Sequence, residues 1–287
     1  MCRYFLDWLE EWSTGCADQV LVNSRYTASV FKDTFTSITT EPFVLYPSLD
    51  FSKFDSCPDK PLNSLLDIPR DINVLFLSIN RFERKKNLAL ALFAFNHLVE
   101  SKNPDVQRNL RKEDYVETGD QVVISSCKVH LVMAGGYDPR NLENIQHYNE
   151  LLELRDDLKL TDHVTFVKSP SEELKINLLR RSDCLVYTPE NEHFGIVPLE
   201  AMYCRTPVVA VSSGGPMETI ENNVTGFLCP QTPLQFSEAM SNFVSDRSLG
   251  TIMGQAGHDR VVKVFSFDSF IDCLDSVISD LVSKKRK

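Results

Sequence analysis

The 287-residue sequence has no C-x-x-C pair, no His-x-x-x-His and no apolar run of the roughly 18 residues that a bilayer-crossing helix needs. The first two absences exclude the common zinc spacings. The eight cysteines (Cys2, Cys16, Cys57, Cys127, Cys184, Cys204, Cys229 and Cys273) are scattered, which suits buried free thiols in a reducing compartment better than a disulfide framework. Positive charge is scarce: 30 Lys and Arg stand against 40 Asp and Glu, a net charge of −10. That argues against a general nucleic-acid surface but leaves room for a local basic pocket. Also missing are G-x-G-x-x-G, a Walker loop, G-x-S-x-G and an Asp-x-Asp pair. Their absence disfavours an NAD site, a P-loop, a serine-hydrolase elbow and a diphosphate held through a divalent metal. We therefore expect no metal and no cofactor, with cationic side chains meeting any phosphate.

What is present begins with an amphipathic stretch, M-C-R-Y-F-L-D-W-L-E-E-W, in which Phe5, Trp8, Leu9 and Trp12 share one side of a helix. Asp7, Glu10 and Glu11 interrupt it, so it is no signal peptide. Packing on the fold is the expectation; an interfacial helix is the alternative, disfavoured by its acidic charges. Strand-like and helix-like segments then alternate. Strands are expected at 19–23, 43–46, 73–79, 129–133, 164–167, 184–187 and 208–211. Helices are expected at 26–35 (capped by Ser24), 87–99, 145–158, 172–180 (capped by Ser171), 197–203, 233–246, 248–265 and 269–282. Residues 47–70 read as an aperiodic connection, and 101–127 as a polar surface insertion. The closing K-K-R-K reads as a solvated tail. Repeated β-α units at this spacing imply an α/β fold, an open parallel sheet with helices on both faces, whose ligands sit beyond the carboxyl ends of the strands.

Three motifs fall at such strand ends. Arg81-Phe-Glu-Arg84-Lys85-Lys86 puts four cations where a strand turns into a helix. It is either a solvated loop or a diphosphate site, and its place in the sheet favours the second. Thr188-Pro-Glu-Asn-Glu192-His193-Phe194-Gly195-Ile196-Val197-Pro198-Leu-Glu200 joins a strand to a helix. Gly195 allows close backbone approach, Pro198 suits a first helical turn, and the amides of Phe194 to Val197 are left to face a phosphate or a hydroxyl. Glu192 and Glu200 can each accept a vicinal diol, although alone such a pair would read as a cap and a solvated face. Gly214-Gly215-Pro-Met-Glu218 and Ala134-Gly135-Gly136 are tight turns or ligand loops.

Together, in this order, these motifs resemble the C-terminal domain of the retaining GT-B glycosyltransferases of family GT4. The matches are Arg81 and Lys86 five residues apart, Glu192 and Glu200 with seven residues between, and Gly214-Gly215-x-x-Glu218, over roughly residues 73–265. The wording N-E-H-F-G-I-V-P-L-E-A-M-Y is similar to the mannosyltransferases of dolichol-linked oligosaccharide assembly within that family. The resemblance implies a Rossmann-like GT-B fold with residues 71–265 as the nucleotide-sugar domain, 1–46 as the end of an N-terminal acceptor domain, 47–70 as the connection and 266–287 as a C-terminal helix and tail. It implies GDP-mannose as donor and a dolichol-linked oligosaccharide as acceptor on the cytosolic face of the endoplasmic reticulum, no nucleic acid, and membrane association through a part of the N-terminal domain not in this sequence. By the same resemblance Arg81 and Lys86 neutralise the diphosphate, Glu192 holds mannose hydroxyls and Glu200 takes the ribose diol. His193, the Phe194–Val197 backbone, Gly135, Gly214, Gly215 and Glu218 complete the substrate site. Donor binding without turnover, and a related GT4 enzyme using another nucleotide-hexose, remain as alternatives.

Overall fold

The computed structural model describes residues 2–101 and 127–285. Its centre is a six-stranded, wholly parallel sheet in the order β5-β4-β3-β6-β7-β8, formed by Val74–Ile79 (β3), Val129–Gly135 (β4), Val164–Lys168 (β5), Cys184–Tyr187 (β6), Val208–Val211 (β7) and Gly226–Cys229 (β8). Every residue of β3 is buried. Its alternate side chains enter two cores: Val74 and Phe76 join Phe95, Phe236 and Phe243 on one face, and Leu75, Leu77 and Ile79 join Leu179, Leu199 and Phe265 on the other. A strand covered on both faces is why its sequence is a continuous apolar run rather than an alternating one.

The order carries the functional consequence. From β3 the chain moves outward through β4 to β5, then crosses back to lay β6 against the opposite edge of β3. The carboxyl ends of β3 and β6 therefore flank the switch point, where an open α/β sheet has its crevice. Five helices of the sheet region matter below: Leu88–Ser101, Leu142–Asp157, Glu172–Arg181, Ile196–Tyr203 and Arg247–Val264.

Ahead of this sheet, Leu21–Val22 (β1) and Phe43–Val44 (β2) form a two-stranded parallel ribbon, and Arg25–Thr34 (α2) starts from the expected Ser24 cap, whose hydroxyl accepts from the Thr27 N–H. Residues 47–70 differ from the expectation of an aperiodic connection. They contain a short helix, Phe51–Asp55 (α3), and a 3₁₀ turn at Leu62–Ser64, and they bury Leu49, Phe54 and Leu62 in the second core. Arg180 fastens the segment by donating to the carbonyls of Phe54 and Cys57. Strand β8 and the short helix Pro216–Thr219 were likewise not expected. The 101–127 insertion falls almost wholly on 102–126, outside the described residues.

A second correction concerns the amino-terminal helix, Cys2–Gly15 (α1). Its apolar side does not pack on the fold: Tyr4, Phe5, Trp8 and Trp12 are all more than half exposed, with Trp8 and Trp12 stacked on one another. The helix is held instead from its polar side and its end, where the Glu11 carboxylate accepts from the Ser37 N–H at 2.7 Å and Gly15 lies against Ile38. Among the seven cysteines from Cys16 to Cys273, all free, Cys184 and Cys229 are buried and Cys16 is exposed, so burial holds for some of the thiols only. No described helix is long and apolar enough to cross a membrane.

Candidate functional site

A cavity of about 500 Å³ opens at the switch point, within the range of small-molecule sites. The turn after β3 contributes Asn80, Arg81 and Lys86; the end of β4 contributes Gly135 and Gly136; the turn after β5 contributes Ser169 and Pro170. Tyr187, Glu192, Gly195, Ile196, Val197 and Glu200 line it from β6 onward, and Lys175 reaches in from Glu172–Arg181. Four separate strand ends thus converge on one volume.

Two lysine-carboxylate pairs stand in it. Lys86 Nζ is bonded to Glu192, and Lys175 Nζ lies 2.7 Å from Glu200 Oε1. Glu200 is 8% exposed, and its Oε2 is buried with no partner. Burial pushes its carboxyl above the ordinary range, and Lys175 pulls it part of the way back. A half-satisfied buried carboxylate in a cavity is an acceptor awaiting donors, because leaving it unmatched is costly. Asn80 Nδ2 is the complementary case, a buried donor without a partner on the same wall. Burial also drives the Tyr187 hydroxyl strongly upward, and its bond to the Glu192 carboxylate adds to the shift. Tyr187 therefore stays a neutral donor that helps fix Glu192.

The backbone is shaped to suit. Asn87 takes a left-handed conformation after the 3₁₀ turn Arg84–Lys86, and the Thr188 hydroxyl donates to the Lys86 carbonyl at 2.7 Å, tying the basic turn to the Glu192 loop. Gly195 sits at φ +79° ahead of Ile196–Tyr203, with the Tyr187 hydroxyl 3.3 Å from where a β-carbon would stand. The first amides of that helix have no intrahelical acceptor and face outward from its start. Gly135 permits β4 to pass the Asn80 carbonyl, which a β-carbon would meet at 1.6 Å.

Of the residues expected from sequence, Arg81, Lys86, Gly135, Glu192, Gly195, Ile196, Val197 and Glu200 line this cavity together. Phe194 is buried in the second core, and His193 is exposed beside Glu192. Gly214 and Gly215 are not cavity-lining; they pack under the Glu192 loop, where added β-carbons would strike the carbonyls of Glu192 and Phe194 at 2.5 and 2.3 Å. Glu218 faces away, accepting from the Arg25 and Tyr26 N–H groups. The four cations are all paired: Arg81 and Lys85 with Glu83, Arg84 with Glu150, Lys86 with Glu192. Asn80, Ser169, Lys175 and Tyr187 were missed. Tyr187 ends a strand, a place that marks ligand contacts in such sheets, whereas nothing local marks Lys175. Among the described residues no cluster of His, Cys, Asp and Glu is arranged to hold a metal.

The sequence profile of the family described as "Glycosyl transferases group 1" matches residues 118–260. Among curated proteins, the chain is 49% identical to "Alpha-1,3/1,6-mannosyltransferase ALG2" of Mus musculus and 47% identical to that of Homo sapiens, over 96% of this chain and 62% of each relative. The Dictyostelium discoideum protein of that name is 39% identical, with 65% of its length covered. The chain thus spans somewhat under two thirds of the length of these relatives. Among solved structures, sucrose-phosphate synthase from Thermosynechococcus elongatus superposes with a TM-score of 0.76 at 22% identity, over 97% of this chain and 62% of that one. Anabaena Alr3699/HepE in complex with UDP gives 0.70 at 19%, over 93% and 64%. These two likenesses concern the fold alone.

Proposed function

This chain belongs to the group 1 glycosyl transferases of GT-B fold, and from that premise we propose that its cavity binds GDP-mannose for retaining mannosyl transfer to a dolichol-linked oligosaccharide, building the α-1,3 and α-1,6 branches of the N-glycan precursor at the cytosolic face of the endoplasmic reticulum. The observation that carries the nucleotide-sugar reading is the pair of lysine-held carboxylates in one switch-point cavity, one of them keeping a buried free oxygen. Identity to the mannosyltransferases supports mannose as the sugar.

In this reading Glu200 Oε2 accepts the ribose hydroxyls, Lys86 and Arg81 meet the diphosphate, and Glu192 accepts mannose hydroxyls as Lys86 turns from it to the phosphates. The bond from the anomeric carbon to the β-phosphate oxygen breaks, and its electron pair leaves on GDP. The acceptor hydroxyl oxygen bonds to the same face of that carbon and passes its proton to the departing phosphate. The protein supplies positioning and charge stabilisation, the two largest levers for such a transfer. Donor binding without turnover is the second reading, favoured because every cavity residue given a role here meets the donor and none the acceptor.

Calorimetry separates the readings. GDP should bind more tightly than UDP, and Lys86→Ala and Glu200→Ala should each weaken GDP by about 10- to 100-fold, the worth of a hydrogen bond to a charged group. Tighter UDP binding overturns the mannose assignment; unchanged affinity in both variants overturns the cavity. Labelled GDP-mannose with lipid acceptor then reports turnover, and binding without product selects the second reading for this chain.

A further inference from the structure

The loop that carries Glu192 is braced from outside the six-stranded sheet. Ser24, fully buried at the start of α2, donates its hydroxyl to the His193 carbonyl. Thr27 Oγ1 lies 3.0 Å from His193 Nδ1 and 2.6 Å from Asn23 Oδ1, while the Tyr26 ring faces the imidazole with centroids 5.7 Å apart. The helix start is itself clamped. The Glu218 carboxylate accepts from the Arg25 and Tyr26 N–H groups at 2.8 and 2.9 Å and from the Tyr46 hydroxyl at 3.0 Å. A carboxylate across the first amides of a helix satisfies donors that have no intrahelical partner and suits the helix dipole.

Counting protons fixes the imidazole. Thr27 has one hydroxyl hydrogen and three neighbours, Asn23 Oδ1 at 2.6 Å, Ser24 Oγ at 2.9 Å and His193 Nδ1 at 3.0 Å, of which the shortest contact is to a carbonyl oxygen that can only accept. Thr27 therefore spends its hydrogen on Asn23 and can only accept from His193, which places a proton on Nδ1. A neutral ring so protonated has its lone pair on Nε2.

We propose that Thr27 and Glu218 are positioning residues for the donor site. Glu218 locks the start of α2, and Thr27 holds His193 as the Nδ1–H tautomer, so that the braced loop presents Glu192, the neighbour of His193 in the chain, to the donor sugar from the cavity wall. The tautomer stands on the geometry alone; the bearing of the brace on the sugar rests on the donor reading of the cavity.

Two measurements on the full chain test this. Long-range ¹H–¹⁵N spectra at pH 8, with the His193 signals assigned by their loss in His193→Gln, should show the Nδ1–H tautomer in the unmodified chain and in Thr27→Ser. Thr27→Val, which keeps the shape but removes the acceptor, should move the ring toward Nε2–H. An Nε2–H ring in the unmodified chain overturns the assignment. By calorimetry, Thr27→Val and Glu218→Gln should weaken GDP-mannose by about 5- to 10-fold, the scale of one hydrogen bond, with GDP affinity held within about twofold and Thr27→Ser restoring the difference. Equal losses for both ligands, or none, overturn the positioning role. Failure of the unmodified chain to bind GDP would instead remove the donor reading, with the tautomer still decided by the spectra.

Discussion

Glu200 shows how a single side chain trades stability for binding. Its folded carboxyl is raised by burial above its ordinary value of 4.5, so the folded chain holds a proton there more tightly than the unfolded chain does. Stability from this group is accordingly present at low pH and lost as pH rises from about 4.5 through the folded value. Asp183, also raised by burial, acts in the same direction. We expect Glu200→Gln to lose less stability than the unmodified chain between pH 4.5 and 7 in thermal scans, even as it weakens GDP. A steeper loss in the variant would contradict the sign. At this scale the sequence was a good guide to polar types at strand ends and a poor one to their partners. Lys175 enters the site from a helix whose local pattern is that of an ordinary amphipathic surface, and only the fold brings it to Glu200.

Among elements, the long buried strands were legible because each is an apolar run bounded by turn residues, and the helix starts because Ser24 and Ser171 cap as their chemistry suggests. The pieces that were not legible are short: β8, the helices Phe51–Asp55 and Pro216–Thr219, and one 3₁₀ turn. Elements of three to five residues offer too few positions for a period, and their burial comes from neighbours distant in sequence. The diglycine turn was legible as a turn, but its purpose was not. Gly214 stands at φ +61°, against the Glu192 backbone. Gly214→Ala should cost about 1–3 kcal/mol in urea unfolding through backbone strain and displacement of the donor loop. Gly250 is the counter-case, with ordinary φ inside Arg247–Val264 and nothing nearer than 3.8 Å. Gly250→Ala should stabilise by about 0.5–1 kcal/mol.

Across the whole molecule, the sheet region is closed on both faces, while among the described residues α1 and the helix Phe267–Lys285 leave apolar side chains uncovered. Trp8 and Trp12 on α1 and Phe267 on that helix are each 57–59% exposed. Amphipathicity in the sequence told that α1 has an apolar face; it carried no information on what lies opposite. An uncovered face of this kind promotes association. Trp8→Gln with Trp12→Gln should shift sedimentation toward monomer at high concentration with helical content kept, and unchanged association would place the contact elsewhere.

The pairing of all four cations near β3 has an electrical consequence. Arg81, Arg84, Lys85 and Lys86 share three carboxylates, Glu83, Glu150 and Glu192, so the turn carries one net positive charge where its sequence displays four. An approaching nucleotide meets a nearly neutral doorway, and its arrival exchanges one ion pair for another. Long-range steering is then weak, and raising the ionic strength from 20 to about 200 mM should slow nucleotide association by less than about threefold in stopped flow. Glu192→Gln, which unmasks Lys86, should make that rate both faster and more sensitive to salt.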